Sequence, residues 1–385
     1  MTDVAQVAAN RGAARLDGLG TTIFTQMTAL AQRTGAINLG QGFPDEDGPS
    51  EAIEAAVTAL RGGHNQYAPL PGVPPLREAI RAHQQHYYGL EPEDLLVTFG
   101  ATEAIASALL GLCDPGDEVL VLEPYYDSYA ACIAFAGARR RPVTLRPPDF
   151  ALNLDELRAT AADAHGKAKV LLLNTPHNPT GRVLNAEELQ AIAQVCIDHD
   201  LICVSDEVYE HLVYDGEHIP IATLPGMAER TLTISSVGKS FSFTGWKVGW
   251  CSGPAELVAA ARKVKQYLTF AGGTPLQHAA AAALALPPVH LTQLRDQLKA
   301  NRDLLSEGIA AAGWQPLAAA GTYFINADVG EEAVEFCAAL PEGCGVVAIP
   351  TSVFYDDKQA GRNLVRFAFC KRPEVIAEAA KRLAA

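Results

Sequence analysis

The chain has 385 residues, 49% of them hydrophobic and 19% charged, with a formal net charge of −14. This is the balance of a globular enzyme with a large core, in two domains or in one with a subdomain. Basic blocks and basic–aromatic interleaving are missing, which excludes a nucleic-acid surface, and no apolar run reaches membrane-spanning length; the best, AAAAALAL at 279–286, reads as a packed helix.

The first residues, MTDVAQVAANRGAARLDG, have no apolar h-region, so no secretory signal is expected. Residues 15–45 read as an arm: a short helix around Phe24 to Gln32, then INLGQGFPDEDGP, whose glycines and Pro44 mark irregular backbone. Ser50 reads as the cap of a helix through Leu60, and NQYAPLPGVPP as a loop into a helix from Leu76 to Tyr88. His83 and His86, three apart on that polar helix, read as solvent-facing. With no HExxH among the ten histidines, no metal is expected. Eight cysteines (113, 132, 196, 203, 251, 337, 344 and 370) show no paired spacing and sit mostly in apolar runs, as small hydrophobes do in a reducing, cytoplasmic compartment.

From about residue 95 strands and helices alternate. LLVTF leads to GATEA, EVLVLEP to YYDSY, AKVLLLN to TPHNPTG, LICVS to DEVYE, and TLTIS to SVGKS. Apolar strands alternating with helices predict an α/β fold with a mostly parallel sheet. After helices around 255–286, a long helix at about 290–312 precedes GTYFINAD, VVAIP and NLVRFAF. The predicted organisation is an arm (1–45), a large domain (46–288) and a small α+β domain (289–385) that the arm joins.

Thr102, Tyr126, Asn178, Asp206, Ser236 and Lys239 all fall just after successive strands. In an open α/β sheet those ends converge on one crevice. Lys239 follows the buried strand TLTIS and is expected to be walled by Phe241, Phe243 and Trp246, where desolvation favours the neutral amine, a nucleophile that forms Schiff bases. A phosphate loop GxxxxGK would need glycine at 233, where Thr233 stands. GATEA is either a tight turn that requires Gly100 or a helix N-terminus that binds an anion, with Ser236 and Lys247 adding a hydroxyl and a cation. Asp206 is a helix cap or a buried carboxylate. Tyr209 and Asn178 are hydrogen-bond donors or, for Asn178, turn chemistry. Tyr126 is a stacking face or core. Taken together, these groups describe a pocket for pyridoxal 5′-phosphate. GATEAI is not GxGxxG, which sets a nicotinamide oxidoreductase aside.

The chain resembles the class I aminotransferases of pyridoxal-phosphate fold type I along nearly its whole length, from RLDGLG to FCKR. The motifs that carry the resemblance are NLGQGFPD, NQYAP, GATEA, TPHNPTG, DEVYEHL, SxxGKxFxxTGWKVGW and LVRFAF. Within the class it is similar to the kynurenine/glutamine and N-succinyldiaminopimelate branch, with GQGFPDEDGP, EPYYDSY and EFCAALPE closest to the latter. The resemblance implies a seven-stranded-type sheet, a cofactor carried by Lys239, and a ring nitrogen held protonated by Asp206. Tyr209 and Asn178 would bond the ring hydroxyl and Tyr126 would stack on the ring. Gly100, Ala101, Thr102, Ser236 and Lys247 would hold the phosphate, joined by Tyr67 of a partner subunit.

Arg366, otherwise simply a strand arginine in a salt bridge, would grip the substrate carboxylate beside Gly42 and Asn178. Phe24 stands where kynurenine aminotransferases carry tryptophan. The implied activity moves an amino group from an α-amino acid to a 2-oxo acid, such as 2-oxoglutarate, in a cytosolic homodimer. N-succinyldiaminopimelate (lysine biosynthesis) and kynurenine or glutamine are the implied donors. A cysteine-conjugate β-lyase and a non-catalytic aminotransferase-like sensor are the rival readings. No DNA-binding segment is attached and every catalytic position is filled, which disfavours the sensor.

Overall fold

The computed structural model describes residues 13–20, 22–164 and 166–385; the first twelve residues of the N-terminal stretch read above lie outside them. Its centre is a seven-stranded sheet built from β1 (Asp94–Phe99), β2 (Glu118–Glu123), β3 (Arg139–Thr144), β4 (Ala168–Asn174), β5 (Ile202–Asp206), β6 (Thr231–Ser236) and β7 (Val248–Gly253). The spatial order is β1-β7-β6-β5-β4-β2-β3. β7 is antiparallel to both neighbours, while the other pairings are parallel.

Side chains alternate between the faces of a strand, and the core follows that rule. Val119, Val121, Val170 and Leu172 join one buried cluster with the helices Gly100–Leu112 and Asp127–Phe135. Leu120, Leu122, Leu171 and Leu173 join another with the helices Leu154–Asp163 and Ala186–Asp198. β3, reading RRRPVT, has no such alternation. It lies at the sheet edge, where Pro142 costs no ladder bond that an inner strand would need.

A second, four-stranded antiparallel sheet comprises β8 (Gln315–Pro316), β9 (Phe324–Asp328), β10 (Ile349–Pro350) and β11 (Leu364–Ala368), in the order β10-β11-β9-β8. Here VVAIP divides: Val346–Val347 pair in parallel with Ile37–Asn38 of the arm, and Ile349–Pro350 pair with β11. The long helix Val289–Ala311 packs Leu298, Leu305 and Ile309 into the same core as Ile325, Val365 and Phe367.

Two local expectations change. Pro49, not Ser50, occupies the cap of Ser50–Arg61, and the Ser50 hydroxyl turns to the Glu51 carboxylate at 3.2 Å. His83 is buried, because it continues the Leu76 and Ile80 stripe of the helix Pro74–Tyr88, whereas His86 is exposed. The eight cysteines are free thiols, and among the described residues no helix is long and apolar enough to cross a membrane.

Candidate active site

Six strands of the large sheet end, and the reversed β7 begins, at the same sheet edge: Phe99 pairs with Val248, and Ser236 with Gly249. Lys247, immediately before β7, therefore arrives at the edge reached by the loops after β1, β4, β5 and β6. A cleft of about 250 Å³ opens there, and all the predicted site residues except Tyr67 line it.

Lys239 lies in a one-turn helix, Val237–Ser240, directly after β6. Its ammonium is 5.8 Å from the Tyr209 ring centre and 5.6 Å from that of Tyr323. It makes no hydrogen bond or ion pair among the described residues. Burial pushes its amine down to about 8, against the opposing pull of Cys370 and Asp206. Of the expected aromatic wall only Phe243 lines the cleft with Lys239, and these two tyrosines supply the rest. Phe241, just past the end of that helix, turns into the core, while Phe243 and Trp246 stack on each other at 3.6 Å.

Asp206 closes β5 at the cleft floor. Its Oδ2 accepts from the Tyr129 hydroxyl at 2.6 Å and its Oδ1 from the Val208 amide at 3.3 Å. Burial pushes this carboxyl up to about 6, and the Tyr129 bond works against the rise. Tyr129 went unnoticed in the sequence; the available signal was its place one helical turn after Tyr126, whose ring it meets edge-on at 5.8 Å. Asn174 was also missed. It donates to the Asp206 carbonyl at 2.8 Å and accepts from the Asn178 amide at 2.8 Å, which fixes the TPHNPTG loop to the sheet. Tyr209 is buried edge-on against Tyr323, and burial drives its hydroxyl far above the ordinary range. The Tyr126 hydroxyl is pushed up to about 12 for the same reason.

At the other end of the cleft, Gly100 begins the helix Gly100–Leu112 with φ at +68°, a conformation that favours glycine. The Lys247 ammonium reaches the Thr102 hydroxyl at 3.4 Å, and Ser236 borders the same space. β7 crosses this turn so closely that a Cβ at Gly249 would lie 2.7 Å from the Gly100 carbonyl carbon and 2.8 Å from the Ala101 nitrogen. Glu103 fastens the turn by accepting from the Phe99 amide at 2.6 Å and from the buried Lys265 ammonium at 3.2 Å.

Arg366, in β11, is fully buried. It donates to Asn178 Oδ1 at 3.1 Å and to the Gly40 carbonyl at 3.0 Å, and its Nε has no partner among the described residues. The guanidinium lies 4.0 Å from the Phe324 ring centre, 4.9 Å from that of Phe354 and 5.4 Å from that of Phe24. Burial lowers it to about 10. Among the described residues no carboxylate pairs with it, so the salt bridge that a strand arginine suggests is not what it makes. Tyr67 stands apart. It is 83% exposed and meets Phe270 edge-on at 5.4 Å.

The residues fit a phosphorylated pyridine aldehyde. An unpaired lysine, a buried carboxylate and an open helix N-terminus beside a lysine offer the aldehyde, ring-nitrogen and phosphate contacts such a group needs. The buried guanidinium, hydrogen-bonded but with no carboxylate partner among the described residues, can take a carboxylate.

The family model for aminotransferase class I and II matches residues 34–383. The chain is 50% identical to the probable N-succinyldiaminopimelate aminotransferase DapC of Mycobacterium tuberculosis, covering 96% of this chain and 97% of that protein. It is 42% identical to the methionine aminotransferase of Escherichia coli, covering 96% and 97%. The solved structure of N-succinyldiaminopimelate aminotransferase from M. tuberculosis superposes with a TM-score of 0.94 at 50% identity, over 97% of this chain and 99% of that one.

Proposed function

Since the chain belongs to the class I and II aminotransferases and is a pyridoxal 5′-phosphate-dependent transaminase, we propose a division of labour within its cleft. The cofactor supplies, when bound, an electron-withdrawing ring that stabilises negative charge at the substrate Cα. Lys239 is its attachment point and the base. An amine brought to about 8 is neutral often enough near neutral pH that Lys239 could take a proton from the substrate Cα and hand it to the cofactor's aldehyde carbon, on the far side of the amino nitrogen. Asp206 holds the ring nitrogen protonated, and Tyr129 keeps the Asp206 carboxylate in place. Tyr209 and Asn178 donate to the ring hydroxyl, and Tyr126 covers the ring.

The amides at Gly100, Ala101 and Thr102, with Ser236 and Lys247, take the phosphate. Arg366, with Gly42 and Asn178 beside it, takes the substrate α-carboxylate, and Phe24 borders the side chain. The single observation that carries this reading is a fully buried arginine without a carboxylate partner, in the same cleft as an unpaired lysine. An isolated buried charge is costly, so a bound anion is what justifies keeping it.

We assign N-succinyldiaminopimelate as the preferred donor and 2-oxoglutarate as the acceptor, within lysine biosynthesis in the cytoplasm. The likeness to the M. tuberculosis enzyme supports this over a kynurenine- or methionine-type role. The working unit is a homodimer in which Tyr67, which is exposed and does not line its own cleft, completes the neighbouring one, with residues 46–288 as cofactor domain and 1–45 with 289–385 as the smaller one. A panel of N-succinyldiaminopimelate, methionine, kynurenine and glutamine against 2-oxoglutarate and pyruvate tests the substrate. The highest kcat/KM is expected for the first donor. A tenfold advantage for methionine or kynurenine overturns the assignment, and pyruvate release from cysteine conjugates without an acceptor reveals a β-lyase.

A further inference from the structure

We propose that His83, Glu210 and His211 form a binding site, outside the cofactor cleft, for a first-row divalent transition ion of the Zn²⁺ class. One ligand atom from each residue lies within 4.8 Å of the others. The two Nε2 atoms are 2.8 Å apart. Two imidazole nitrogens and a carboxylate oxygen are a donor set that suits zinc, and the all-oxygen sets of calcium and magnesium are unlike it. Zinc–nitrogen bonds of about 2.0–2.1 Å at a tetrahedral angle hold two nitrogens roughly 3.3 Å apart. The rings therefore need to part by only about 0.5 Å from their present 2.8 Å. That movement exchanges the hydrogen bond between the two Nε2 atoms for two metal bonds, and it falls to His211, half-buried in a turn, because His83 is fixed in the core stripe of its helix.

The surroundings already orient the ligands, as outer-shell partners do around metals. Ser235 donates to Glu210 Oε1 at 2.5 Å, leaving the second carboxylate oxygen. The His211 ring stacks over Tyr88 with ring centres 6.3 Å apart and planes 22° apart, and meets Tyr87 edge-on at 4.7 Å. A water in the fourth position completes the set. Glu210 and His211 follow Tyr209 directly, so an ion here would tie the helix Pro74–Tyr88 to the turn that carries Asp206 and Tyr209.

The test uses the holoprotein, stripped by a chelator and titrated with Zn²⁺ in phosphate-free buffer against a chromogenic chelator. One ion per chain is expected, with a melting temperature that rises and saturates at the same stoichiometry. His211→Gln and Glu210→Gln should each weaken binding by at least about 100-fold, since even outer-shell losses cost 10- to 100-fold. His86→Ala, exposed on the same helix, should bind like the parent. His211 is half-buried, so its variant keeps the test decisive if a His83 variant fails to fold. Zinc uptake below one ion per chain overturns the proposal. So does uptake that is unchanged in both the His211 and Glu210 variants, which would place the ion on other groups such as the eight thiols.

Discussion

Tyr129→Phe removes one oxygen atom and, with it, the 2.6 Å hydrogen bond to Asp206 Oδ2. The ring stays where it is: it is 2% exposed and packed edge-on against Tyr126, and phenylalanine fills the same space. Asp206 keeps only the Val208 amide at 3.3 Å, so one oxygen of a buried carboxylate loses its donor. Burial already raises this carboxyl to about 6, and without Tyr129 it rises further, so less of it is ionised to hold a protonated ring nitrogen. A hydrogen bond to a charged group contributes about 1.5–3 kcal/mol, which is about 10- to 150-fold in affinity. The assay titrates the apoprotein with pyridoxal 5′-phosphate, follows the visible absorbance, and takes the apoprotein melting temperature as a check on folding. A melting temperature within a few degrees of the parent, with cofactor affinity unchanged within twofold, would refute the idea that Tyr129 holds Asp206 for the cofactor.

Arg366→Lys should lower kcat/KM for every amino donor by a similar factor, on the order of 1–3 kcal/mol, because lysine lacks the fork that grips a carboxylate; a loss confined to one donor would make Arg366 a side-chain selector. For the shared site, Tyr67→Phe at limiting cofactor and inactive Lys239→Ala are unfolded and refolded as an equal mixture. About a quarter of all sites should recover through mixed dimers, and a plain average of the parents, with mixed dimers present, returns Tyr67 to its own subunit. In the apoprotein, Lys239→Met should be more stable than the parent below about pH 8, because folding there holds a charged lysine in a desolvated place. Between about 8 and 10.5 the unfolded parent keeps the lysine proton that the folded parent has lost, so the parent gains stability and the difference in melting temperature shrinks. A difference that stays constant across that window counts against a depressed Lys239.

What was legible in the sequence follows the range of the interactions involved. Strands with apolar side chains on both faces, such as VLLLN and LICVS, announce themselves locally, and so do the loops that follow them, which is why the cleft residues of the large sheet were readable from position alone. RRRPVT was not readable, because an edge strand needs neither an apolar alternation nor every amide. Arg366 carried no local sign of its role. Its surroundings are set at long range: among the described residues no carboxylate pairs with it, and its partner Asn178 lies 188 residues earlier. His83 was misread for the same reason, since its ring is turned inward toward His211, 128 residues away, and spacing along one helix does not register such a partner.

The crossing of β7 over the start of the helix Gly100–Leu112 bears on how natural variants of this protein should be judged. Gly249 contributes no side chain and lies in a strand where alanine looks conservative. Even the smallest added carbon at that position would press on the Gly100 carbonyl carbon and the Ala101 nitrogen. Backbone cannot move aside as a flexible side chain does, so the helix's first amides would be displaced while the rest of the sheet kept its pairing. Tolerance at position 249 is therefore set by the start of the neighbouring helix, and if that start holds the phosphate as proposed, a change scored as harmless by residue similarity is expected to surface as a shortage of vitamin B6-derived cofactor in an otherwise well-made chain.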